Sequence, residues 1–242
     1  MSTIAIALVC KTPIAGESKT RLSPPLTPTQ CAELSACFIR DLSATIQTLM
    51  HGGEVTGYAV YTPPGSEAAL SALLPDGFRL LAQRDGDLST RLGAASAELL
   101  AIGHAGVILL NADSPTLPPS ILRAAVHGVR RGDNVVLSPA LDGGYTLIGL
   151  SQPHANLFER IPWSTPAVYA ATIERAREQA LPVVHVPGWY DVDDADSLRL
   201  LEAELNGQAP PCAAGGISGA DAPATRRFLA ARTTAQRRGL SA

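Results

Sequence analysis

The feature that most constrains the fold is an alternation of apolar, β-rich runs with helical patterns over the first 206 residues. The runs are largely uninterrupted stretches of Val, Ile and Leu, which is typical of strands buried on both faces of a mostly parallel sheet. Helices must then cover that sheet, so the alternation predicts an α/β fold. Predicted strands lie at 3–10, 55–61, 78–82, 106–111, 134–138, 145–150 and 182–186, and predicted helices at about 28–50, 66–74, 87–102, 118–131, 166–180 and 194–206.

Two neighbouring runs break the alternation. "NVVLS" at 134–138 and "YTLIGL" at 145–150 are separated by a turn-rich stretch that is too short for a crossover helix. Parallel strands need such a crossover, whereas antiparallel strands can be joined by a turn. We therefore expect a local antiparallel insertion in the sheet.

The chain changes character after Asn206. The segment 207–242 is rich in Pro, Gly, Ala and Arg, and it has no sustained periodicity beyond a short helical pattern at 223–232. That composition is typical of a mobile segment. We predict one domain over residues 1–206 and a mobile C-terminal tail over 207–242.

Charge and cysteine content exclude several classes of protein. The tail carries five Arg and one Asp, so the body has 14 basic and 21 acidic residues, an acidic balance that argues against general nucleic-acid binding. The four cysteines form no C-x-x-C pair, which favours a reduced chain over a disulfide or zinc scaffold. The first positive charge is Lys11, and no apolar run approaches membrane-spanning length. We expect a cytoplasmic protein with no membrane partner.

The first loop, "KTPIAGESKTRL" at 11–22, carries an unusual set of cations. It superficially resembles a P-loop, but the positions that need glycine are occupied by Pro13 and Ser18. The chain contains two Lys residues, and both lie here, next to Arg21. Ammonium and guanidinium groups in one loop suit a polyphosphate, although a solvated surface loop would look the same. The nucleotide-binding candidates in this loop are Lys11, Pro13, Gly16, Lys19, Thr20 and Arg21.

Acidic residues follow two later strands. Asp113, in "LLNADSPTLP", comes where an apolar strand leaves the core, and ligands of open parallel sheets lie beyond such strand ends. Its carboxylate could bind a hard divalent cation or simply stabilise a turn. "DVDDADSL" adds Asp191 and Asp193, which share a face of an extended segment, while Asp194 is the expected helix cap. Crowded carboxylates repel one another unless a cation is near, so we predict a metal site rather than a solvated acidic turn.

Three further stretches supply weaker candidates. "RDGDLSTRLG" places Asp87 near a helix start and Arg91 one turn later, an arrangement that suits either an anionic ligand or ordinary capping. "DGGY" has glycines that allow close ligand approach or a plain turn. Trp163 suits either an acceptor lid or ordinary packing. The acceptor-binding candidates are Asp142, Gly143, Gly144, Tyr145 and Trp163.

Five motifs in this order resemble a known superfamily over about residues 3–205. They are "KTPIAGESKTRL", "QRDGDLSTRLG", "NADSPTLP", "SPALDGGYTLIGL" and "WYDVDDADSL". The resemblance is to GT-A-like transferases, in particular to the proposed glycosyltransferases of arsenosugar-type gene clusters. These are related to phospholactate guanylyltransferase and molybdenum cofactor guanylyltransferase.

The resemblance implies a Rossmann-like three-layer α/β/α sandwich, the nucleotide-diphospho-sugar transferase fold, that binds a nucleotide with Mg²⁺ or Mn²⁺. It implies that Lys19 and Arg21 neutralise phosphates, and that Asp113 and Asp193 bind the metal. One departure is the start of the first loop. Cofactor-type guanylyltransferases have a Gly-Gly pair where this chain has Cys10-Lys11-Thr12-Pro13, so recognition of the base and triphosphate does not carry over.

Two reactions fit these residues. In nucleotidyl transfer, a phosphorylated small-molecule acceptor attacks the α-phosphorus of a nucleoside triphosphate, and no general base is needed because the nucleophile is already an anion. In glycosyl transfer from an NDP-sugar, an inverting enzyme needs a carboxylate base, for which Asp142 or Asp191 could serve. A non-catalytic nucleotide-binding regulator is a third reading. The absence of an obvious base favours nucleotidyl transfer, with Lys19, Arg21 and Asp113 as the catalytic candidates.

Overall fold

The structure, a computed structural model, describes residues 2–239 and contains a seven-stranded sheet with helices on both faces. Its strands are β1 (Ile4–Lys11), β2 (Val55–Thr62), β3 (Arg79–Ala82), β4 (Gly106–Asn111), β5 (Val135–Pro139), β6 (Tyr145–Leu150) and β7 (Val183–His185). Its helices are α1 (Pro28–Met50), α2 (Glu67–Ser71), α3 (Leu88–Ala101), α4 (Pro119–Val129), α5 (Val168–Glu178), α6 (Ala195–Leu205) and α7 (Pro223–Gly239).

The strand order is β3-β2-β1-β4-β6-β5-β7. Parallel pairs join β1 to β2 and β4, β2 to β3, and β5 to β7. Strand β6 runs antiparallel to both of its neighbours, β4 and β5. The predicted three-layer α/β/α sandwich and its local antiparallel insertion are both confirmed.

Strand β1 shows why the sheet is buried on both faces. Ile4, Ile6 and Leu8 point into one hydrophobic core, and Ala5 and Ala7 point into the other. Successive side chains of a strand alternate between faces, so an uninterrupted apolar run contributes to two cores at once. The larger core lies under α1, α4 and α6, and the smaller one lies under α3 and α5.

The sheet topology brings the candidate loops to one edge. Strands β1 and β4 are parallel neighbours, with Val9 opposite Asn111, so their carboxyl ends lie side by side. The first loop follows β1, and the turn containing Asp113 follows β4. The segment before α6 joins them because the Val192 amide donates to the Asp113 carbonyl at 2.9 Å.

The predicted tail contains a helix that packs on the body of the protein. Helix α7 packs against α1, and Phe228 and Leu229 contribute to the larger core. The buried carboxylate of Asp41 in α1 accepts hydrogen bonds from the Ala224 and Thr225 amides at 2.9 and 2.8 Å. Composition missed this contact because a few apolar residues and one distant cap are enough to dock a helix. The division of the chain at residue 206 stays a prediction that truncation would test.

Within residues 2–239, no helix is both long enough and apolar enough to cross a bilayer.

Candidate functional site

A cleft of about 410 Å³ opens at the carboxyl ends of β1 and β4. The first loop forms one wall, and the turns that carry Asp113 and Asp193 form another. Among the described residues, the charged side chains that line it are Lys11, Glu17, Lys19, Arg21, Arg91, Asp113 and Asp193. The cleft therefore brings together four cations and three anions from four separate segments of the chain.

Lys19 lies between the two candidate metal ligands. Its Nζ contacts Asp113 Oδ1 at 2.6 Å and Asp193 Oδ1 at 2.9 Å, and it donates to the Val192 carbonyl at 2.6 Å. An ammonium group has three N–H donors, so these contacts use all of them. Burial opposes the charge of Lys19, but the charges of Asp113 and Asp193 outweigh it and raise the lysine's pKa. Lys19 is a buried, protonated cation.

Asp113 and Asp193 face each other across this ammonium. Because each carboxylate has an oxygen within 2.9 Å of Nζ, those two oxygens are no more than about 5.5 Å apart. Their side chains keep 36% and 40% of their surface exposed, so further oxygens remain open to the cleft. Asn111 supports the turn, since its Oδ1 accepts from the Asp113 amide at 3.2 Å.

Asp191 shows that this edge of the sheet carries surplus negative charge. Burial and the neighbouring carboxylates of Asp142, Asp193 and Asp113 raise the pKa of Asp191 to about 7. The ion pairs of Lys19 are made with Asp113 and Asp193. A second positive charge at this edge would relieve the remaining repulsion.

A preformed metal cage is not present in the described residues. Within 2–239, no three or more His, Cys, Asp or Glu side chains are grouped so as to hold a metal ion. Two carboxylates with exposed oxygens are nevertheless the kind of partial ligand set that Mg²⁺ uses, because this ion keeps several water or phosphate ligands. The donors fit a divalent cation whose remaining ligands come from solvent or a bound phosphate.

The other cations of the cleft are held loosely. Lys11 pairs with Glu17 at 2.7 Å, and both side chains are exposed, so the pair is weak and can open. Arg21 lies exposed on a short 3₁₀ turn, and Arg91 donates from Nε to the Gly86 carbonyl at 2.8 Å. These three side chains are free to reorient toward an anion without breaking the core.

Three of the remaining nucleotide-binding candidates lie outside the lining of the cleft. Thr20 lines the cleft, whereas Pro13, Gly16 and Asp87 do not, and Gly16 forms a turn with a φ of 82°. Asp87 caps α3, and its Oδ1 accepts from both the amide and the hydroxyl of Thr90 at 2.8 Å. These hydrogen bonds hold the pKa of Asp87 below its usual value.

The acceptor candidates form a second group around the β5–β6 turn, outside the lining of the cleft. Asp142 Oδ1 accepts from the Gly144 amide at 2.8 Å, and Gly143 has a φ of 90°. The rings of Tyr145 and Trp163 meet edge to face with centroids 6.4 Å apart. Asp191 links this group to the cleft, since its pKa responds to Asp142 as well as to the cleft carboxylates.

Gln83 and Cys10 are among the cleft residues that the sequence motifs did not predict. Gln83 directly follows β3, and its Nε2 donates to the carbonyls of Cys10 and Val60 at 3.1 and 2.9 Å, which ties the ends of β1 and β2 together. Its position after a strand was a usable signal. Cys10 also lines the cleft, where burial and the charge of Asp113 raise its pKa to about 12 and keep the thiol protonated.

Comparison with known proteins places this geometry in a family and a fold. Residues 45–165, half of the chain, match the family model described as "Uncharacterized protein conserved in bacteria (DUF2064)". A search of curated proteins by sequence found no match.

A crystal structure from Desulfovibrio desulfuricans G20, assigned as a nucleotide-diphospho-sugar transferase, is 26% identical with a TM-score of 0.80, and the match covers 98% of both chains.

More distant solved structures share the fold alone. A CMP:2-keto-3-deoxy-manno-octonic acid synthetase complexed with CTP is 13% identical with a TM-score of 0.54, and the match covers 85% of this chain and 99% of the other. A cytidylyltransferase from Leptospira borgpetersenii serovar Hardjo-bovis (strain JB197) is 10% identical with a TM-score of 0.55, covering 86% and 89%. The predicted GT-A, or nucleotide-diphospho-sugar transferase, fold is confirmed.

Proposed function

The chain belongs to the DUF2064 family of bacterial proteins, and from that premise we propose that it is a nucleotide-using transferase. Its fold is the one shared by the nucleotide-diphospho-sugar transferase and cytidylyltransferase structures. The nucleotide's phosphates would bind in the cleft at the ends of β1 and β4. The acceptor would bind toward the β5–β6 turn, next to Asp191.

One observation supports this proposal above the others, namely the convergence of Lys11, Lys19, Arg21 and Arg91 on the cleft that also holds Asp113 and Asp193. A nucleoside triphosphate carries about four negative charges, and cations in a partly enclosed site stabilise such charge more strongly than they do in water. The carboxylates would repel the same phosphates if they acted alone. Cations and carboxylates together suit a metal–polyphosphate complex.

We propose nucleotidyl transfer as the reaction. An oxygen of an acceptor phosphate attacks the α-phosphorus, a new P–O bond forms, and the bond to the β-phosphate bridging oxygen breaks. Pyrophosphate leaves with the electron pair, and no proton has to be removed from the nucleophile. Arg21, Lys11 and Arg91 would neutralise the charge on the leaving pyrophosphate and align it, which is the main contribution that phosphoryl-transfer sites make.

A divalent metal, Mg²⁺ or Mn²⁺, fits the carboxylates of this site. Asp113 and Asp193, the two carboxylates that line the cleft, would hold it. When bound, such an ion supplies a Lewis acid that neutralises phosphate oxygens. Lys19 would remain in the same cleft as a phosphate ligand.

The finer assignment rests on the sequence motifs. They resemble phospholactate and molybdenum cofactor guanylyltransferases, and this supports a nucleoside triphosphate as donor and a small anionic acceptor. The first loop lacks their Gly-Gly pair, so the resemblance does not identify the base of the nucleotide, and a binding panel is needed to determine it.

Glycosyl transfer is the second candidate. It is favoured by the likeness, at 26% identity over nearly the whole chain, to a protein assigned as a nucleotide-diphospho-sugar transferase. In that reaction an acceptor hydroxyl would attack the anomeric carbon, and Asp142 or Asp191 would take its proton. The released product would be a nucleoside diphosphate rather than pyrophosphate.

A thermal-shift panel tests nucleotide binding. Nucleoside triphosphates and NDP-sugars are added with Mg²⁺ or Mn²⁺, and a ligand at about 100 times its dissociation constant should stabilise the protein by roughly 2.7 kcal/mol. Arg21→Ala should weaken binding by about 1.5–3 kcal/mol, because it removes a charge-assisted contact. Arg177→Ala is the matched control, since Arg177 is an exposed residue of α5 paired with Glu174. Equal affinities for both variants would contradict the proposed phosphate site.

Product analysis separates the reactions. The bound nucleotide is incubated with a panel of phosphorylated and hydroxyl acceptors and followed by ³¹P NMR. Release of pyrophosphate supports nucleotidyl transfer, and release of a nucleoside diphosphate with sugar transfer supports the second candidate. Binding without turnover of any acceptor would instead indicate a nucleotide-binding regulator.

A further inference from the structure

The position of Lys19 has a consequence for metal binding. Its ammonium contacts Asp113 and Asp193, the two carboxylates that would otherwise bind a divalent cation. The group also donates to the Val192 carbonyl, so its hydrogen-bonding capacity is filled. An ion that approaches these carboxylates must compete with a cation that already belongs to the protein.

Packing holds Lys19 in this position. Its side chain is only 7% exposed, and Nζ lies 5.5 Å from the centroid of the Phe38 ring, within range of a cation–π contact. The backbone of Lys19 has φ 50° and ψ 40°, a left-handed conformation that is strained for a non-glycine residue. Tertiary contacts must offset that strain, and they include the two ion pairs and the hydrogen bond to the Val192 carbonyl.

The neutralisation that Lys19 provides is incomplete. One ammonium group faces two carboxylates directly, which leaves a net negative charge. A divalent cation would neutralise this edge better, but without the phosphates of a nucleotide nothing in the cleft receives the displaced ammonium. Metal and nucleotide should therefore enter together.

We propose that Lys19 is a built-in counter-ion that competes with a divalent cation for Asp113 and Asp193. When a metal–nucleotide complex binds, the metal takes the carboxylates and Lys19 transfers its contacts to phosphate oxygens in the same cleft. Free metal binds weakly because it must displace the ammonium with nothing to accept it. The role of the phosphates rests on the proposed function, whereas the competition with free metal does not.

The competition is tested with Mn²⁺ alone. Free Mn²⁺ is measured by EPR during titration of the full chain and of Lys19→Met, which keeps a long unbranched side chain without its charge. We expect Lys19→Met to bind Mn²⁺ at least roughly tenfold more tightly than the wild type, because a positive charge within about 4 Å of the ion is removed. Adding Asp193→Asn to Lys19→Met should abolish the gain. Equal or weaker Mn²⁺ binding by a folded Lys19→Met variant would overturn the proposal.

A second measurement needs no variant at position 19. The chain contains two lysines, so selective ¹³C,¹⁵N-lysine labelling yields two side-chain signals, and Lys11→Arg assigns them. Millimolar Mg²⁺ alone should shift the Lys19 signal as its ammonium leaves the carboxylates. An unchanged Lys19 signal at Mg²⁺ concentrations that displace bound Mn²⁺ would overturn the proposal.

The two experiments also separate this inference from the proposed function. If no nucleotide binds but Lys19→Met gains affinity for Mn²⁺, the proposed function fails and the counter-ion stands. If nucleotide binds and metal affinity does not depend on Lys19, the counter-ion fails alone.

Discussion

The carboxylate of Asp41 is expected to hold helix α7 on the body of the protein. Its Oδ1 accepts from the Ala224 amide at 2.9 Å, and its Oδ2 accepts from the Thr225 amide at 2.8 Å. All three residues are buried, and Asp41 is only 3% exposed. Asp41→Ala would leave two amide donors at a helix N-terminus without their partner and away from water.

The structure sets the size of the effect. Loss of a helix cap costs about 0.5–2 kcal/mol, and a buried donor left unsatisfied costs about 1–3 kcal/mol. These terms overlap, so we expect Asp41→Ala to lose about 2–4 kcal/mol. For a chain of this length that corresponds to a drop in melting temperature of roughly 5–15 °C. Asp41→Asn keeps one acceptor oxygen and should lose about half as much.

Circular dichroism melts of the purified variants measure this change, with Asp85→Ala as control because Asp85 is an exposed loop residue. Limited proteolysis should show faster cleavage within α7 in Asp41→Ala, since the helix detaches before the body unfolds. A melting temperature within about 1 °C of the wild type, with unchanged cleavage, would refute the idea that Asp41 anchors the tail.

Three further predictions concern the tail, the β5–β6 turn and the N-terminal edge of the sheet. A chain ending at residue 222 loses Leu229 and both donors to Asp41, so its melting temperature should fall below that of the full chain; an equal value would support the predicted division at residue 206. Gly143→Ala should destabilise the protein by about 1–3 kcal/mol more than Gly207→Ala in thermal melts. Both glycines have positive φ, but only at Gly143 would the new Cβ meet another group, the Pro166 carbonyl oxygen at 2.2 Å. Burial, and secondarily Arg79, lower the pKa of His104, whose ring contacts Thr3 and Tyr58, so the unfolded chain binds the proton more readily. Stability should therefore fall as pH drops below about 6.5, and His104→Gln should flatten that part of the pH profile.

The sheet could be predicted because its signal is local. The central strands are apolar runs long enough to fill both cores, as in β1, and some helices begin at a recognisable cap, such as Thr27 of α1 or Asp87 of α3. The antiparallel β6 followed from the absence of a helix between two strands. The proximity of Asp113 and Asp193 followed from the rule that parallel strands end at one edge.

Contacts between distant, chemically ordinary residues could not be predicted. Lys19 and Asp193 are 174 residues apart in the chain. Their pairing depends on a left-handed backbone at Lys19, a conformation that a sequence usually signals with a glycine. In the sequence, Asp41 looks like an ordinary polar residue of a long amphipathic helix. Only the folded structure shows that its carboxylate caps α7. Local propensity carries no information about such pairs, because their energy comes from tertiary packing.

The choice of lysine at position 19 follows from the geometry of the site. Of the 19 basic residues, 17 are Arg, and Lys19 is one of the two exceptions. The Nζ of Lys19 must reach two carboxylates and a carbonyl from a nearly closed position, and a compact ammonium can direct its three donors to three acceptors on two separate segments. A guanidinium is planar and larger, and it favours bidentate contact with a single carboxylate. An ammonium is also a point charge like a metal ion, which is why a lysine, rather than an arginine, can occupy carboxylates that suit a divalent cation.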